Sequence, residues 1–230
     1  MPAAKPVTAR PLRAAALALT LAGVLATTVP PARAAHDTRP PPSRCAGQGV
    51  DRHALVRYES EVVVDAPLST LWELQTDVER WPAWQPPVLS AERLDPGRLR
   101  EGSRFHWTTP APATPAAPAT TLGITSTVRR LRHHDCLLWS GPATGEGPHI
   151  DEGVHLWTFR EVRGGVRVHT AETWTGAQAE ADVPTATRAL DAGLDAWLHD
   201  LRTTAEARTD GRPPAGRLRT PTSSAPGTGT

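Results

Sequence analysis

"VVVDAPLSTLWELQTDVERWPAW" occupies Val62–Trp84 and changes its period midway. Val62–Val64 closes a run from Val56 that reads as a strand. After Pro67, apolar residues fall at Leu68, Leu71, Trp72 and Leu74, which suits a short helix with proline at its start. Pro82 is expected to stop that helix and to restrict Trp81. The chain has eight Trp against two Phe and one Tyr, and it places Trp81 and Trp84 on either side of this proline. One reading makes them the wall of an apolar cavity beneath the helices. The plainer reading is core filler between helices and sheet.

Toward the C-terminus, short β-like runs follow at Val88–Leu94, Arg104–Thr109, Thr121–Arg132, Cys136–Gly141, Val154–Arg160 and Val166–Thr175. Gly164-Gly165 marks a hairpin between the last two. Residues 110–119, "PAPATPAAPA", hold four prolines in ten and are expected to form an unpaired insertion at a hairpin tip. A long helix then covers Val183–Ala207. Leu190, Leu194, Trp197, Leu198 and Leu201 make one stripe along it, and Asp182 is placed to cap it. Strands joined by short turns make an antiparallel sheet, and one long helix can bury its stripe only against that sheet. The fold class is therefore α+β: about seven antiparallel strands around a C-terminal helix, with two short helices after the first strand.

Toward the N-terminus, residues 1–34 carry Lys5, Arg10, Arg13 and Arg33 and no acid. An apolar run, Ala14–Val29, leads to Ala32-Arg33-Ala34, and the three parts together read as a secretory signal cleaved near Ala34. An uncleaved membrane anchor is the other reading, although the run is short for a span of about 20 residues. Residues 35–51 are a polar, Pro/Gly-rich lead-in, 52–208 the folded domain, and 209–230 a tail without apolar periodicity, expected to be disordered. The expected location is extracellular, with no stable membrane span after cleavage.

Loss of residues 1–34 leaves 21 basic against 24 acidic residues, so no nucleic-acid footprint is expected. The chain's one lysine, Lys5, leaves with them, which excludes Schiff-base chemistry in the mature protein. Nine histidines form no converging metal set, no nucleotide-loop or nucleophile-elbow motif occurs, and no cofactor is expected. Two cysteines, Cys45 and Cys136, could be bonded in an exported protein or remain free thiols.

The order "VVVDAPLSTLWELQTDVERWPAW", "GSRFHW" (Gly102–Trp107), "LLW" (Leu137–Trp139), "HLWTF" (His155–Phe159) and "GGVRVHTAETWTG" (Gly164–Gly176) resembles the START-like, or Bet v 1-like, superfamily, in particular its polyketide cyclase/dehydrase branch. The resemblance covers roughly residues 56–207. It implies a helix-grip fold with a cavity between sheet and helix, and a small apolar ligand such as a lipid or polyketide; only some members are enzymes.

Alternation then assigns faces. Val166, Val168, Thr170, Glu172 and Trp174 are turned inward, with His155, Trp157 and Phe159, Leu137 and Trp139, and Phe105 and Trp107. Cys136 falls on the outer face. The expected ligand contacts are Trp72, Trp81, Trp84, Phe105, Trp107, Trp139, Trp157, Phe159, Thr170, Glu172 and Trp174. Trp197 is assigned to the helix–sheet core instead. Glu172 and His155 are the candidates for proton transfer, or Glu172 for anchoring a ligand hydroxyl; a structural pair between Glu172 and an Arg or His155, or exposure of Glu172 at the cavity mouth, is the alternative. The leading reading is a secreted carrier of a small hydrophobic molecule. A cyclase/dehydrase-type enzyme and a ligandless interaction module are the others.

Overall fold

The structure, a computed structural model, describes residues 44–113 and 118–211. The signal segment, the first part of the lead-in, Thr114–Ala117 of the Pro/Ala insertion and residues 212–230 of the tail lie outside the described residues. Seven strands form one antiparallel sheet: β1 (Val56–Val64), β2 (Ser90–Arg93), β3 (Arg104–Ala111), β4 (Thr120–Arg132), β5 (Cys136–Thr144), β6 (His149–Val162) and β7 (Gly165–Thr175). Their order is β1-β7-β6-β5-β4-β3-β2. Between β1 and β2 stand α1 (Leu68–Thr76), a 3-10 turn (Val78–Arg80) and α2 (Trp81–Trp84), and α3 (Val183–Thr209) closes the fold. No described helix is long and apolar enough to cross a membrane. This is the helix-grip arrangement expected from the resemblance.

Four local expectations are corrected. Pro82 does not stop the first helix. That helix ends at Thr76, and Pro82 sits in the first turn of α2, where a missing N–H costs nothing. Pro110 is not outside the sheet: β3 runs through it to Ala111, opposite Thr121 and Thr120. Proline keeps its carbonyl acceptor, which is enough at the end of a ladder. The lead-in is not extended where it is described, because Cys45 and Gln48 bridge across a turn with positive φ at Ala46 and Gly47. The helix also outlasts the expected boundary at Ala207, reaching Thr209.

Two positions show why this chain turns where it does. Val162 pairs with Gly165, so β6 and β7 are joined through Arg163 and Gly164 alone. Gly165 has φ 136°, and a Cβ there would stand 2.1 Å from the Val64 carbonyl oxygen of β1. Only glycine lets the hairpin pass under the neighbouring strand. At the start of α3, the Asp182 side chain accepts from the Thr185 N–H at 3.1 Å, the cap expected from sequence.

The α3 stripe is buried as its spacing predicts, with Leu190, Leu194, Trp197, Leu198 and Leu201 all facing protein. Each such side chain contributes roughly 1.5–3 kcal/mol by leaving water. The sheet's inner face supplies Phe105, Val128, Leu137, Trp139, Trp157, Phe159, Val166 and Val168 to the same core. Cys136, Leu138, Leu156 and Ala171 cluster apart on the outer face, beneath Cys45 and Val50 of the lead-in. Cys45 and Cys136 are bonded, with Cα atoms 5.5 Å apart.

Candidate functional site

The inner face concentrates indole rings. Trp81, from the first position of α2, lies fully buried with Phe105, Trp107, Trp139 and Trp197 around it at ring separations of 5.1–5.9 Å. Most of these pairs meet edge to face, the arrangement that the ring quadrupole favours. Trp84 and Trp157 stand 6.4 and 5.9 Å from Trp197. Six of the eight Trp thus form one cluster between sheet and helix, with Phe105 and His155 at its edge. Trp107 is the half-buried member, and its Nε1 donates to Ser126 Oγ at 3.2 Å.

Three of the expected contacts lie elsewhere. Trp72 and Phe159 meet each other at 5.7 Å near the β4–β5 turn, where Trp72 also packs on His133 and His134. Those two histidines stack at 3.8 Å in that turn, where His134 adopts a positive φ. Trp174 packs with Val56, Leu190 and Leu194 against the first half of α3, away from the other rings. Trp197, assigned to the helix–sheet core, is buried there and is also the hub of the ring cluster. Its place could not be read from the stripe, which gives a face of the helix but no position along the sheet.

Polar groups are built into this aromatic floor. Thr170, His155, Glu172 and Trp174 form a chain across β6 and β7, where His155 and Glu172 are direct partners in register. The order of protons along it is set at one end. The Leu156 carbonyl can only accept, so Thr170 Oγ1 donates to it at 3.2 Å. Thr170 Oγ1 then accepts from His155 Nε2 at 2.8 Å, which makes Nε2 the protonated nitrogen. One proton therefore lies between His155 Nδ1 and Glu172 Oε2, 3.1 Å apart, while Trp174 Nε1 donates to Glu172 Oε1 at 2.7 Å.

Burial decides which atom holds that proton. Desolvation pushes the Glu172 carboxyl up to about 7, against the opposing hydrogen bond from Trp174, and takes the His155 imidazole down to about 3. Below that carboxyl value the pair is a neutral acid on a neutral imidazole. His155 is 4% exposed and Glu172 17%, so the carboxyl is the member nearer solvent. Room for it comes from β6, where a Cβ on Gly153 would already be in contact with Glu172 Oε1 at 3.5 Å. The pairing of Glu172 with His155 was one of the two readings open from sequence, and it holds whether or not the pair also moves protons.

Two further residues were missed. Gln75 and Gln85 are both fully buried. Gln75 Oε1 accepts from Trp197 Nε1 at 3.3 Å, and its backbone carbonyl accepts from Trp81 Nε1 at 3.3 Å. Gln75 was legible, since it falls at i+7 from Leu68 and i+4 from Leu71, on the helix's apolar stripe. Gln85 follows α2 in a segment without periodicity and gave no such signal.

No group of three or more His, Cys, Asp or Glu is placed to hold a metal among the described residues. An open depression of about 490 Å³ lies on the outer face, bordered by Arg44, Gly47, Arg129 and Glu152. Its arginines are already engaged: Arg44 donates to the Gly47 carbonyl, and Arg129 to Ser140 while facing Glu152. The chemistry is concentrated on the opposite side of the sheet.

Comparison with known proteins agrees with this architecture. A family profile described as polyketide cyclase / dehydrase and lipid transport matches residues 56–206. Over 49 residues the chain is 41% identical to a Streptomyces halstedii protein described as a candidate polyketide cyclase; the match covers 21% of this chain and 41% of that protein. The structure of the di-domain ARO/CYC StfQ, from the steffimycin biosynthetic pathway, is similar with a TM-score of 0.52 at 19% identity, over 67% of this chain and 52% of that one. That of Ara h 8.0201 gives 0.49 at 12% identity, over 64% and 94%. The chain thus spans about half or less of the two cyclase-type relatives, and at these structural identities the likeness is one of fold. On the extent of the profile match and the order of its elements, the chain belongs to the polyketide cyclase/dehydrase and lipid transport family, within the START-like, Bet v 1-like superfamily.

Proposed function

We propose that the mature protein is an exported binder or carrier of a small, largely apolar molecule held between the sheet and α3. The observation that carries this reading is the concentration of six indoles in one buried cluster beside two buried glutamines, whose Nε2 atoms have no hydrogen-bond partner. A core that needed only filling would be served by Leu and Phe, which bring no polar atom inside. Export is supported by the basic start, apolar run and Ala-x-Ala site, and by a buried disulfide, which persists in oxidising compartments. Protein collected from the culture medium should begin within a residue or two of Ala35. It should release a small molecule into organic solvent, identified by mass spectrometry. It should also show saturable quenching of Trp fluorescence on titration with apolar probes. Retention in the cytoplasm with Met1 intact overturns the export reading; no probe bound and no molecule recovered overturns the carrier reading and favours a ligandless module.

One observation favours an enzyme of the cyclase/dehydrase type as a second reading. Glu172 is an acid titrating near neutrality within a hydrogen-bonded chain, and it is more exposed than its partner His155. Glu172→Gln keeps the shape and removes proton transfer. A carrier would retain its affinity, whereas an enzyme that uses Glu172 would lose turnover by about 10²–10⁴-fold with binding preserved.

A further inference from the structure

The rings between sheet and α3 lie against one another: Trp81 meets Phe105, Trp107, Trp139 and Trp197, and Trp157 meets Trp197. A molecule reaches them only if part of their cover moves. The parts of that cover are not held equally. Trp81 is anchored, since it is fully buried among four rings and its Nε1 donates to the Gln75 carbonyl at 3.3 Å. Val88 is a second anchor, 1% exposed and followed by Leu89, whose N–H donates to the Thr108 carbonyl of β3 at 2.9 Å.

Between these anchors, Pro82–Pro87 is held more weakly. Two backbone bonds close it on its own ends, Gln85 N–H to the Trp81 carbonyl at 2.7 Å and Val88 N–H to the Gln85 carbonyl at 3.0 Å. Its polar side-chain atoms, Trp84 Nε1 and Gln85 Nε2 and Oε1, are buried without a hydrogen-bond partner among the described residues. Trp84 meets Trp197 at 6.4 Å, farther than any ring around Trp81. Ala83, Pro86 and Pro87 face solvent. The closed position thus keeps three polar atoms unbonded, a cost that an apolar side chain at position 85 would not carry. Swinging Pro82–Pro87 outward hydrates all three, which offsets part of the loss from exposing the Trp84 ring. Proline fixes its own φ, and Pro86 holds Gln85 extended, so the bending is confined to the ends.

We propose that Pro82–Pro87 is a lid, hinged at Trp81 and Val88, that swings out with Trp84 and Gln85 to uncover the ring cluster, and that the buried Gln85 amide keeps it poised to open. What enters rests on the binding reading above; the opening itself does not.

Amide-resolved hydrogen exchange on the full exported protein tests the opening. The Gln85 and Val88 amides lose their bonds when the lid swings out, so they should exchange at least about tenfold faster than amides paired between β6 and β7. Gln85→Met keeps the length of the side chain and removes the amide. Exchange at both positions should slow by about tenfold, the worth of one unmade hydrogen bond, and Gln85→Leu should act in the same direction. Fluorene, followed by Trp quenching in stopped flow, should associate and dissociate more slowly in Gln85→Met by that same factor, with Kd held within about twofold. A residue that only touched the ligand would change Kd instead. Exchange at Gln85 and Val88 as slow as between β6 and β7 would overturn the lid. So would exchange that both variants leave unchanged or speed up, or fluorene rates that do not follow it. Failure of fluorene to bind, with exchange as expected, would overturn the binding reading and leave the lid standing.

Discussion

Glu172 is held by neighbours that require a proton on it. His155 Nδ1 presents a lone pair, because Nε2 carries the ring's proton toward Thr170 and burial disfavours a second one. Stability should follow from the two shifts with opposite signs. Native Glu172, raised to about 7, keeps a proton that the unfolded chain loses above the ordinary value of 4.5, so its contribution falls as pH rises between those values. Native His155, lowered to about 3, lacks a proton that the unfolded chain carries up to 6.5, so its contribution rises over that interval. The two cancel from 4.5 to 6.5, leaving a plateau with a rise below it and a fall above. Glu172→Gln should abolish the fall, because the amide donates permanently to Nδ1 and its oxygen still accepts from Trp174. Urea unfolding at pH 8 should then find the variant more stable than the parent by on the order of 1–3 kcal/mol, with little difference at pH 4. A variant less stable than the parent at pH 8 would show that the proton lies elsewhere.

At the scale of elements, α3 and α2 decide what the sheet can enclose. The helix presents Trp197 in the middle of its stripe, and α2 turns Trp81 and Trp84 toward it from the other side. Pro82 stands in the first turn of α2, between the two rings in sequence, where its missing N–H costs nothing. Trp197→Ala should therefore leave a cavity ringed by Trp81, Trp107 and Trp157 and orphan Gln75 Oε1 as well. A loss of about 3–5 kcal/mol in urea unfolding is expected. Because Trp197 and Trp157 share one cluster, Trp157→Ala should impair stability and probe binding together, as should Trp197→Ala. Division of the two effects between the two variants would place the rings in separate environments.

At the scale of the whole molecule, the disulfide ties the lead-in to the back of the sheet across a sequence separation of 91 residues. Both sulfurs are buried with Leu138, Leu156 and Ala171, so the bond also holds the cover over the outer apolar patch. In the chain-entropy picture a loop of that length contributes about 4–5 kcal/mol. The double variant Cys45→Ser with Cys136→Ser should lose about 2–4 kcal/mol, measured by urea unfolding, and the parent should lose a similar amount under a phosphine reductant. An unchanged midpoint in both would mean that the lead-in contributes nothing to the folded state.

The chain's periodicities alone were enough for the strands, the α3 stripe, the Asp182 cap and the two faces of the sheet, because each depends on side-chain spacing within a single element. They also made Cys136 an outer-face residue, and the same spacing would have put Gln75 on an inward stripe had it been followed past Leu74. Tertiary structure alone decided that Trp197 lies among the rings of α2 and the sheet, that Trp174 lies apart from them, and that Gln85 is inside. Those facts depend on where one element stops along another, which no local period encodes. The state of Glu172 is of the same kind: the carboxyl is ordinary in the sequence, and only its burial beside His155, whose tautomer the Leu156 carbonyl sets through Thr170, determines where its proton rests.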